Sequence, residues 1–223
     1  MYRVILADPP WKFGSRLRNG TPKANGTKNT RFYHVPYPEM TTKEICAMPI
    51  KDICEKDAAL FIWTTDAHIP DCLEVIKAWD FKYSTVAFVW VKKEKSGVTS
   101  CHVGHWTNKS VEICFIATRG RMSKYIQNRK VRQLIEACRD EHSRKPSEAH
   151  ERIEMLFGDV SKVEIFARRQ RAGWDVFGNE VEGSIRLPTL PAQDGGDSAP
   201  LQAESTLEVN PIEGADTNPP LRN

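Results

Sequence analysis

Short apolar runs that alternate with helical segments constrain the fold of this chain more than any other feature. The runs, each a predicted strand, are Arg3–Ala7, Ala58–Trp63, Thr85–Val91, Val111–Ala117 and Lys162–Arg168. Apolar residues at helical spacing predict helices over residues 66–79 and 146–157, and a third helix is predicted over 41–48, with Thr41 or Thr42 as its cap. This alternation is typical of an α/β fold whose sheet has parallel strands.

The first predicted strand stops abruptly at Asp8, Pro9, Pro10 and Trp11. Two consecutive prolines end a strand, so we expect Asp8 to lie at the carboxyl end of this one. In open α/β sheets, ligands bind beyond the carboxyl ends of the strands. Their position therefore makes these four residues the first candidates for a functional site.

The chemistry of the four residues suits an aromatic amine as substrate. Such an amine is a poor nucleophile, because its lone pair is delocalised into the ring. The Asp8 carboxylate and the Pro9 backbone carbonyl could accept its two N–H bonds and direct the lone pair toward a methyl donor. Trp11 could stack on a flipped purine. A simple strand-terminating turn explains these four residues, taken alone, equally well.

Charge is distributed unevenly along the chain. The net charge is +3, but residues 183–223 hold six acidic and two basic residues, which leaves about +7 on residues 1–182. A basic body favours a polyanionic partner. The terminal segment is rich in Pro, Gly, Asp and Glu and poor in aromatics, which predicts disorder. We therefore expect a domain over 1–182 and a disordered acidic tail over 183–223.

A long basic segment, residues 12–36, follows the Asp-Pro-Pro-Trp turn and contains no acidic residue. A loop of this length directly after a strand end is usually functional or disordered. We predict that it is mobile, and that it closes over a nucleic acid when one binds. Its candidate phosphate contacts are Lys12, Arg16, Arg18, Lys23 and Lys28. The alternative is a solvated surface insertion.

Three further observations bear on location and metal binding. The six cysteines include no C-x-x-C pair, no charged-then-apolar signal sequence precedes the first strand, and no apolar run approaches the roughly 18 residues of a membrane span. We therefore expect a cytoplasmic protein. The spacing of Cys101, His102, His105 and Cys114 matches no common zinc module, so no metal site is predicted.

Several motifs, taken in order, resemble a known family. The Asp8–Trp11 tetrad resembles motif IV of amino-methyltransferases. The rest, from about Val4 to Glu182, is similar to the adenine N6-methyltransferase family of the seventy-kilodalton mRNA adenosine methyltransferase subunit, which includes bacterial and phage DNA enzymes. The supporting stretches are His34–Tyr37, Met40–Thr42, Leu60–Thr64, Trp90–Lys92, Gly104–Trp106, Glu112, His142–Pro146, Phe166–Arg168, Gly173–Trp174 and Gly178–Glu180.

The resemblance implies a Rossmann-like class I methyltransferase sheet in permuted motif order, with S-adenosyl-L-methionine as methyl donor and no metal. Lys145, seen in the sequence as a lone cation before a proline-started helix, would pair with the methionine carboxylate of the cofactor. The cofactor ribose would contact Arg168, Asn179 and Glu180, with Gln170 nearby. The target adenosine would be framed by Tyr37 and Glu112.

The predicted function is transfer of methyl to the N6 amine of adenine in DNA. The first alternative is the same reaction on RNA. DNA is favoured because the chain lacks zinc fingers and partner-binding helices and looks more like the stand-alone and prokaryotic members. The second alternative, a catalytically silent nucleic-acid-binding subunit, is disfavoured because both the tetrad and Lys145 are present. Recognition sequence and oligomeric state stay open.

Overall fold

A seven-stranded sheet is the centre of this computed structural model, which describes residues 1–12, 38–104, 106–139 and 144–188. The strands are β1 (Tyr2–Ala7), β2 (Cys54–Thr64), β3 (Lys82–Lys93), β4 (Val111–Arg119), β5 (Leu134–Cys138), β6 (Lys162–Ile165) and β7 (Asp175–Phe177). Their order across the sheet is β5-β3-β4-β2-β1-β6-β7. β1 thus lies inside the sheet, paired in parallel with β2 and β6.

The sheet is mixed, and the expectation of parallel strands throughout is wrong for one of them. β4 is antiparallel to both β2 and β3, whereas the other neighbouring pairs are parallel. The physical reason is the connection between β3 and β4, in whose described residues there is no helix. A parallel return usually needs a helical crossover, so β4 folds back beside β3.

Three α-helices accompany the sheet in the part of the chain that the structure describes: α1 (Thr42–Ala47), α2 (Ile69–Ala78) and α3 (Glu148–Phe157). Thr41 caps α1 and forms a reciprocal capping box with Glu44. Short 3₁₀ helices span Ile50–Ile53, Asp66–His68 and Met122–Tyr125. Ser147 is the N-cap of α3, so Pro146 precedes that helix, which corrects its expected place in the first turn.

The core consists of two apolar layers on opposite faces of the sheet. Ile5 and Ala7 belong to the layer that includes Val75 of α2, and Val4 and Leu6 belong to the layer that includes Ile153 of α3. Successive residues of a strand point to opposite faces. β1 is therefore buried on both sides, which explains why its sequence is a continuous apolar run rather than an alternating one.

Strand boundaries differ from the predicted ones where the local backbone departs from regular geometry. The predicted strand over 162–168 ends at Ile165, because Phe166 has a left-handed backbone with φ of 66°. β5 and β7 were not predicted; both are short and lie at the two edges of the sheet. The α/β, Rossmann-like fold class itself is confirmed.

Contacts continue past the predicted start of the acidic tail. The backbone N–H of Ser184 donates to the Val176 carbonyl at 3.0 Å, and Ile185 and Leu187 pack against the core. Residues 189–223 lie outside the described part of the chain, and the domain boundary and tail disorder stay predictions. Within the described residues, no helix is long and apolar enough to cross a membrane. The cytoplasmic location also stays a prediction.

Candidate active site

All strands except β4 end at the same end of the sheet, which we call the carboxyl end. Asp8 follows β1 there, with β2 and β6 on either side; Ala7 pairs with Ile62 in β2 and with Ile165 in β6. β4 runs in the opposite direction and begins at this end, which brings Glu112 close to Asp8. The carboxyl end of the sheet therefore gathers the predicted catalytic residues, as expected for an α/β fold.

Backbone hydrogen bonds fix the turn that carries Pro9 and Pro10. The Trp11 N–H donates to the Pro9 carbonyl at 2.9 Å, and the Met40 N–H donates to the Pro10 carbonyl at 2.8 Å. The Lys12 N–H in turn donates to the Met40 carbonyl at 3.1 Å. The turn is thus held both internally and by the segment before α1, so its carbonyls have defined directions.

Trp11 holds this turn against the end of β2. Its indole N–H donates to the Trp63 carbonyl at 3.1 Å, its ring stacks on His68 at a centroid distance of 5.7 Å, and the residue is 7% exposed. His68 Nε2 lies 3.3 Å from the Lys12 carbonyl, so His68 contacts two consecutive residues at the end of the turn. In this structure the indole has a packing role, and stacking of a purine on it stays a prediction.

Four alternating charges, which we call the four-charge network, extend from β3 to β1. Lys92 Nζ lies 2.5 Å from Glu112 Oε1, and Lys145 Nζ lies 3.1 Å from Glu112 Oε2. Lys145 Nζ also donates to Asp8 Oδ2 at 2.7 Å. The topology thus places two carboxylates against the Lys145 ammonium group, a pairing that the sequence did not predict.

The network sets the protonation of its members. Burial raises the pKa of Asp8 above its ordinary value, and Glu112 adds to the rise, while Lys145 and Arg168 oppose it. Burial would also raise the pKa of Glu112, but Lys145 and Lys92 outweigh it and hold that pKa below its usual range. Burial would lower the pKa of Lys145, yet the two carboxylates raise it well above normal. Lys145 is thus cationic at all physiological pH values.

A cleft of about 190 Å³ opens beside Asp8. Its lining consists of Asp8, Pro10, Pro38, Phe166, Ala167, Arg168, Asn179 and Glu180. The structure thus brings three predicted cofactor residues, Arg168, Asn179 and Glu180, to the same cleft as the first tetrad residue. Arg168 Nε lies 3.8 Å from Glu180 Oε1, so a cation and a carboxylate lie next to each other in the lining of the cleft.

Local backbone geometry after β6 and β7 shapes this cleft. Phe166 adopts its left-handed conformation at the cleft wall, an uncommon backbone for a bulky residue that costs on the order of 1–3 kcal/mol. Gly178 packs so closely on Ala167 that a Cβ atom there would lie 2.0 Å from the Ala167 carbonyl oxygen. Only glycine permits this approach, which sets the positions of Asn179 and Arg168.

Other predicted residues are placed differently or lie outside the described residues. Gln170 is not among the lining residues of the cleft, and its side-chain amide donates to the Glu182 carbonyl at 3.3 Å. Tyr37 and the loop cations other than Lys12 lie outside the described part of the chain. No three His, Cys, Asp or Glu side chains of the described residues are grouped as metal ligands would be, and His105 lies outside them.

Sequence reasoning did not single out Lys92 or His68 as site residues. Lys92 stands near the end of β3, directly after the apolar run that predicted this strand, so its position was an available signal. His68 lies in a 3₁₀ turn directly after β2, and nothing in the local pattern relates it to Trp11. Both contacts depend on the order of strands in the sheet, which local periodicity does not determine.

Comparison with known proteins identifies the family. Residues 2–180 match MT-A70. The chain is 33% identical to the type II methyltransferase M.MunI of a Mycoplasma species, over 84% of this chain and 82% of that protein.

Two further relatives are much longer proteins. The chain is 29% identical to a probable N(6)-adenosine-methyltransferase MT-A70-like protein of Oryza sativa subsp. japonica, over 83% of this chain and 24% of that protein. It is 25% identical to the N(6)-adenosine-methyltransferase catalytic subunit METTL3 of Homo sapiens, over 82% of this chain and 28% of that protein. It thus spans about a quarter of the length of these two relatives. The chain belongs to the MT-A70 family of methyltransferases, whose methyl donor is S-adenosylmethionine.

Proposed function

We propose that this protein transfers methyl from S-adenosylmethionine to the N6 amine of adenine in DNA. The observation that carries the proposal is the position of Asp8 beside the fixed Pro9 carbonyl, in a cleft also lined by Arg168, Asn179 and Glu180. Acceptors suited to an amine and groups suited to a nucleoside cofactor therefore share one site. Family membership supplies the reaction class.

Asp8 and Pro9 provide the two acceptors that the amine requires. The Asp8 carboxylate takes one N–H and the Pro9 carbonyl takes the other, which frees the nitrogen lone pair from the ring. Because the Pro9 oxygen already accepts the Trp11 N–H, its direction is fixed, and its second lone pair serves the substrate. Acceptors held in advance cost no reorganisation during the reaction. When bound, S-adenosylmethionine would give its methyl group to this nitrogen as the carbon–sulfur bond breaks, and the Asp8 carboxylate would accept the N–H proton that the nitrogen must lose.

The cleft fits S-adenosylmethionine in its donor set. The Glu180 carboxylate and Asn179 amide suit ribose hydroxyls, Arg168 adds a cation, and Pro10 and Phe166 supply apolar walls. When bound, the cofactor supplies an electrophilic methyl group on a positively charged sulfur. We assign its carboxylate to Lys145, which is not itself in the cleft lining but whose ammonium lies 2.7 Å from Asp8, a residue that is. Gln170 is retained as a candidate at the outer part of the ribose site.

We assign the target adenosine to the region between Tyr37 and Glu112. Each Glu112 oxygen accepts from one lysine and keeps a second lone pair, so Glu112 can hold Lys145 and frame the base at the same time. Phosphate contacts are assigned to the basic segment, through Lys12, Arg16, Arg18, Lys23 and Lys28.

Neutralising Arg16, Arg18, Lys23 and Lys28 together tests this assignment of phosphate contacts. Released counterions dominate such binding, so the salt dependence of DNA affinity should flatten by up to about four units of slope. Fluorescence anisotropy at a series of salt concentrations measures this slope. Cofactor affinity should barely change. A quadruple variant with the parent's slope would place the phosphate contacts elsewhere.

The choice of DNA rests on the relatives. The type II methyltransferase resembles this chain over 82% of its own length, whereas the N(6)-adenosine-methyltransferases named above share only about a quarter of theirs. The same reaction on RNA is the second candidate function, and the adenosine-methyltransferase names of those longer relatives favour it. A silent binding subunit is less consistent with the retained tetrad and Lys145.

A direct comparison of substrates separates these candidates. The full chain is incubated with methyl-labelled S-adenosylmethionine and either unmethylated DNA or RNA of the same sequence, and the nucleosides are then resolved by mass spectrometry. N6-methyldeoxyadenosine from DNA is the expected product. If only RNA is methylated, giving N6-methyladenosine, the second candidate function is the correct one. Asp8→Asn is the control for contaminating activity. Cofactor binding without transfer to either polymer would identify a silent subunit.

A further inference from the structure

We propose that Lys92 is a positioning residue of this methyltransferase, and that it acts through Glu112 to keep Lys145 paired with Asp8. The inference rests on the proposed function, because it concerns the same site. It assigns a role to the outermost member of the four-charge network, which lies on β3, three contacts away from the proposed amine acceptor.

Strand geometry places Lys92 against Glu112. In the antiparallel pair of β3 and β4, Trp90 lies opposite Glu112 and the Lys92 N–H donates to the Ser110 carbonyl at 2.9 Å. Lys92 is two residues beyond Trp90, so both side chains point to the same face of the sheet. The ammonium therefore reaches diagonally to the carboxylate, at 2.5 Å, with only 18% of the side chain exposed.

The alternation of charge gives this contact its consequence. Two ammonium groups and two carboxylates balance, with Lys145 held between Asp8 and Glu112 and Glu112 held between Lys92 and Lys145. Without Lys92, two carboxylates share one ammonium group in a poorly solvated site. One of them must then take up a proton at higher pH than before, because uncompensated buried charge is costly.

Lys92 is therefore expected to influence Asp8 although the two side chains do not touch. Glu112 raises the pKa of Asp8, after burial and against the opposing effect of Lys145. A Glu112 that competes harder for Lys145 weakens its contact with Asp8. Three titratable or charged groups outside the network face it from neighbouring elements: Cys114 on β4, His102 between β3 and β4, and Arg168 after β6. Lys145, which precedes α3, belongs to the network itself.

The neighbouring Lys93 offers a matched control. It points to the other face of β3, where its ammonium lies 2.9 Å from the exposed carboxylate of Glu136 and 3.2 Å from the Thr99 hydroxyl. Substituting either lysine by methionine removes one positive charge from adjacent positions of the same strand. A general loss of attraction for nucleic acid would affect both variants, whereas a role in the network would affect Lys92 alone.

The test compares Lys92→Met, Lys92→Arg and Lys93→Met in the full chain, through the pH dependence of kcat for methyl transfer. In Lys92→Met the acid limb should move up by about one pH unit, so the loss of rate is about tenfold at the acid end and shrinks as pH rises. Lys92→Arg keeps the positive charge, so the acid limb of its kcat–pH profile should stay at the parental pH. The same is expected of Lys93→Met. The KM for nucleic acid should stay near the parental value.

A phosphate contact would give a different result. It predicts a loss in KM at every pH and a flatter salt dependence in Lys92→Met, and that outcome would overturn the inference. A double variant, Lys92→Met with Glu112→Gln, covers the case in which the single variant folds poorly. It removes one charge of each sign, so an acid limb that stays raised in the double variant would also overturn the inference.

A second measurement separates this inference from the proposed function. Carboxyl-carbon NMR titration of the full chain without cofactor reports the ionisation of Glu112 and Asp8 directly, with assignments from Glu112→Gln and Asp8→Asn. Lys92→Met should raise the Glu112 midpoint by about one unit. A parental Glu112 midpoint in this variant overturns the inference even if the protein methylates DNA. If the Glu112 midpoint is raised in Lys92→Met but the parent protein methylates neither DNA nor RNA, the proposed function is wrong and the charge coupling stands.

Discussion

The two ends of the central sheet each carry a glutamate paired with a basic residue, but the two pairs differ in burial and connection. At the amino end, Glu55 of β2 pairs with Arg3 of β1, and their side chains are 25% and 24% exposed. At the carboxyl end, Glu112 is 11% exposed and joins two lysines. Water screens the first pair, which contributes little to stability. Each member of the second depends on the others.

This difference indicates what the carboxyl end is built for. Burying several charges stabilises a fold less than burying apolar groups of the same size, because desolvation opposes the attraction. A connected network in such a place does, however, fix the position and ionisation of Asp8. The carboxyl end therefore uses charge to hold the group that we propose as the amine acceptor, whereas the charge pair at the amino end is more exposed to water. The following substitutions test that contrast.

Removing the Asp8 carboxylate at the carboxyl end should have the largest effect on the rate of methyl transfer. Asp8→Asn keeps the shape of the side chain but replaces one acceptor oxygen by a donor and removes the charge. A preorganised acceptor of this kind is worth on the order of 10²–10³ in kcat, so methyl transfer should fall by that factor. Single-turnover transfer measures the rate, and calorimetry should show nearly unchanged cofactor affinity. Retention of more than about a tenth of the parental rate would contradict the role of Asp8 as amine acceptor.

Removing the shared cation should have the largest effect on stability. Lys145→Met leaves Asp8 and Glu112 without their common partner, and breaking a buried pair costs about 3–5 kcal/mol. Because these side chains retain some solvent contact, we expect the lower end, about 3 kcal/mol, in urea unfolding at pH 7. Lys124→Met is the matched control, since Lys124 pairs with Asp57 on the exposed surface. Equal urea midpoints in the two variants would show that the network is no more than surface charge.

The contrast also defines how far the sequence was informative. β1 and the place of Asp8 were predictable, because a doubly buried strand is continuously apolar and two prolines end it. The pairing of Lys145 with Asp8 was not predictable from spacing, because it joins residues 137 positions apart and depends on which strands are neighbours. The antiparallel direction of β4 was missed for the same reason, and with it the contact of Glu112 with Lys92.

Packing limited the prediction for Trp11. An indole is amphipathic, so the sequence is compatible both with an exposed stacking platform and with a buried anchor. The structure places it in the core, with its N–H on the Trp63 carbonyl. Edge strands β5 and β7 gave no usable pattern, since each is short and half exposed.

Acid should narrow the stability difference between the parent and Glu112→Gln. The pKa of Glu112 is lowered in the folded chain, so its ionised form contributes stability above the ordinary value of 4.5, and that contribution is lost as pH falls through the lower folded value. Glu112→Gln cannot lose it. Urea unfolding at pH 7 and at about pH 3.5 should therefore show a gap that shrinks in acid. Glu112 also raises the pKa of Asp8, so Glu112→Gln lowers that pKa and offsets part of the narrowing. A gap of constant size would contradict the coupling of Glu112 to the lysines.

The smallest effect is expected at the amino end, from the same substitution in Glu55. Glu55→Gln removes one charge facing Arg3 but leaves an oxygen that can still accept from the Ser161 hydroxyl, which now lies 2.8 Å from the carboxylate. Arg3 also stacks over the Tyr125 ring at 4.0 Å, so it keeps a favourable contact. The free energy of unfolding should therefore change by less than about 1 kcal/mol, and methyl transfer should be unchanged. Urea unfolding and the rate assay used for Asp8→Asn measure both. If Glu55→Gln slows transfer as much as Glu112→Gln does, charge at either end of the sheet affects the site equally, and the contrast between the two ends fails.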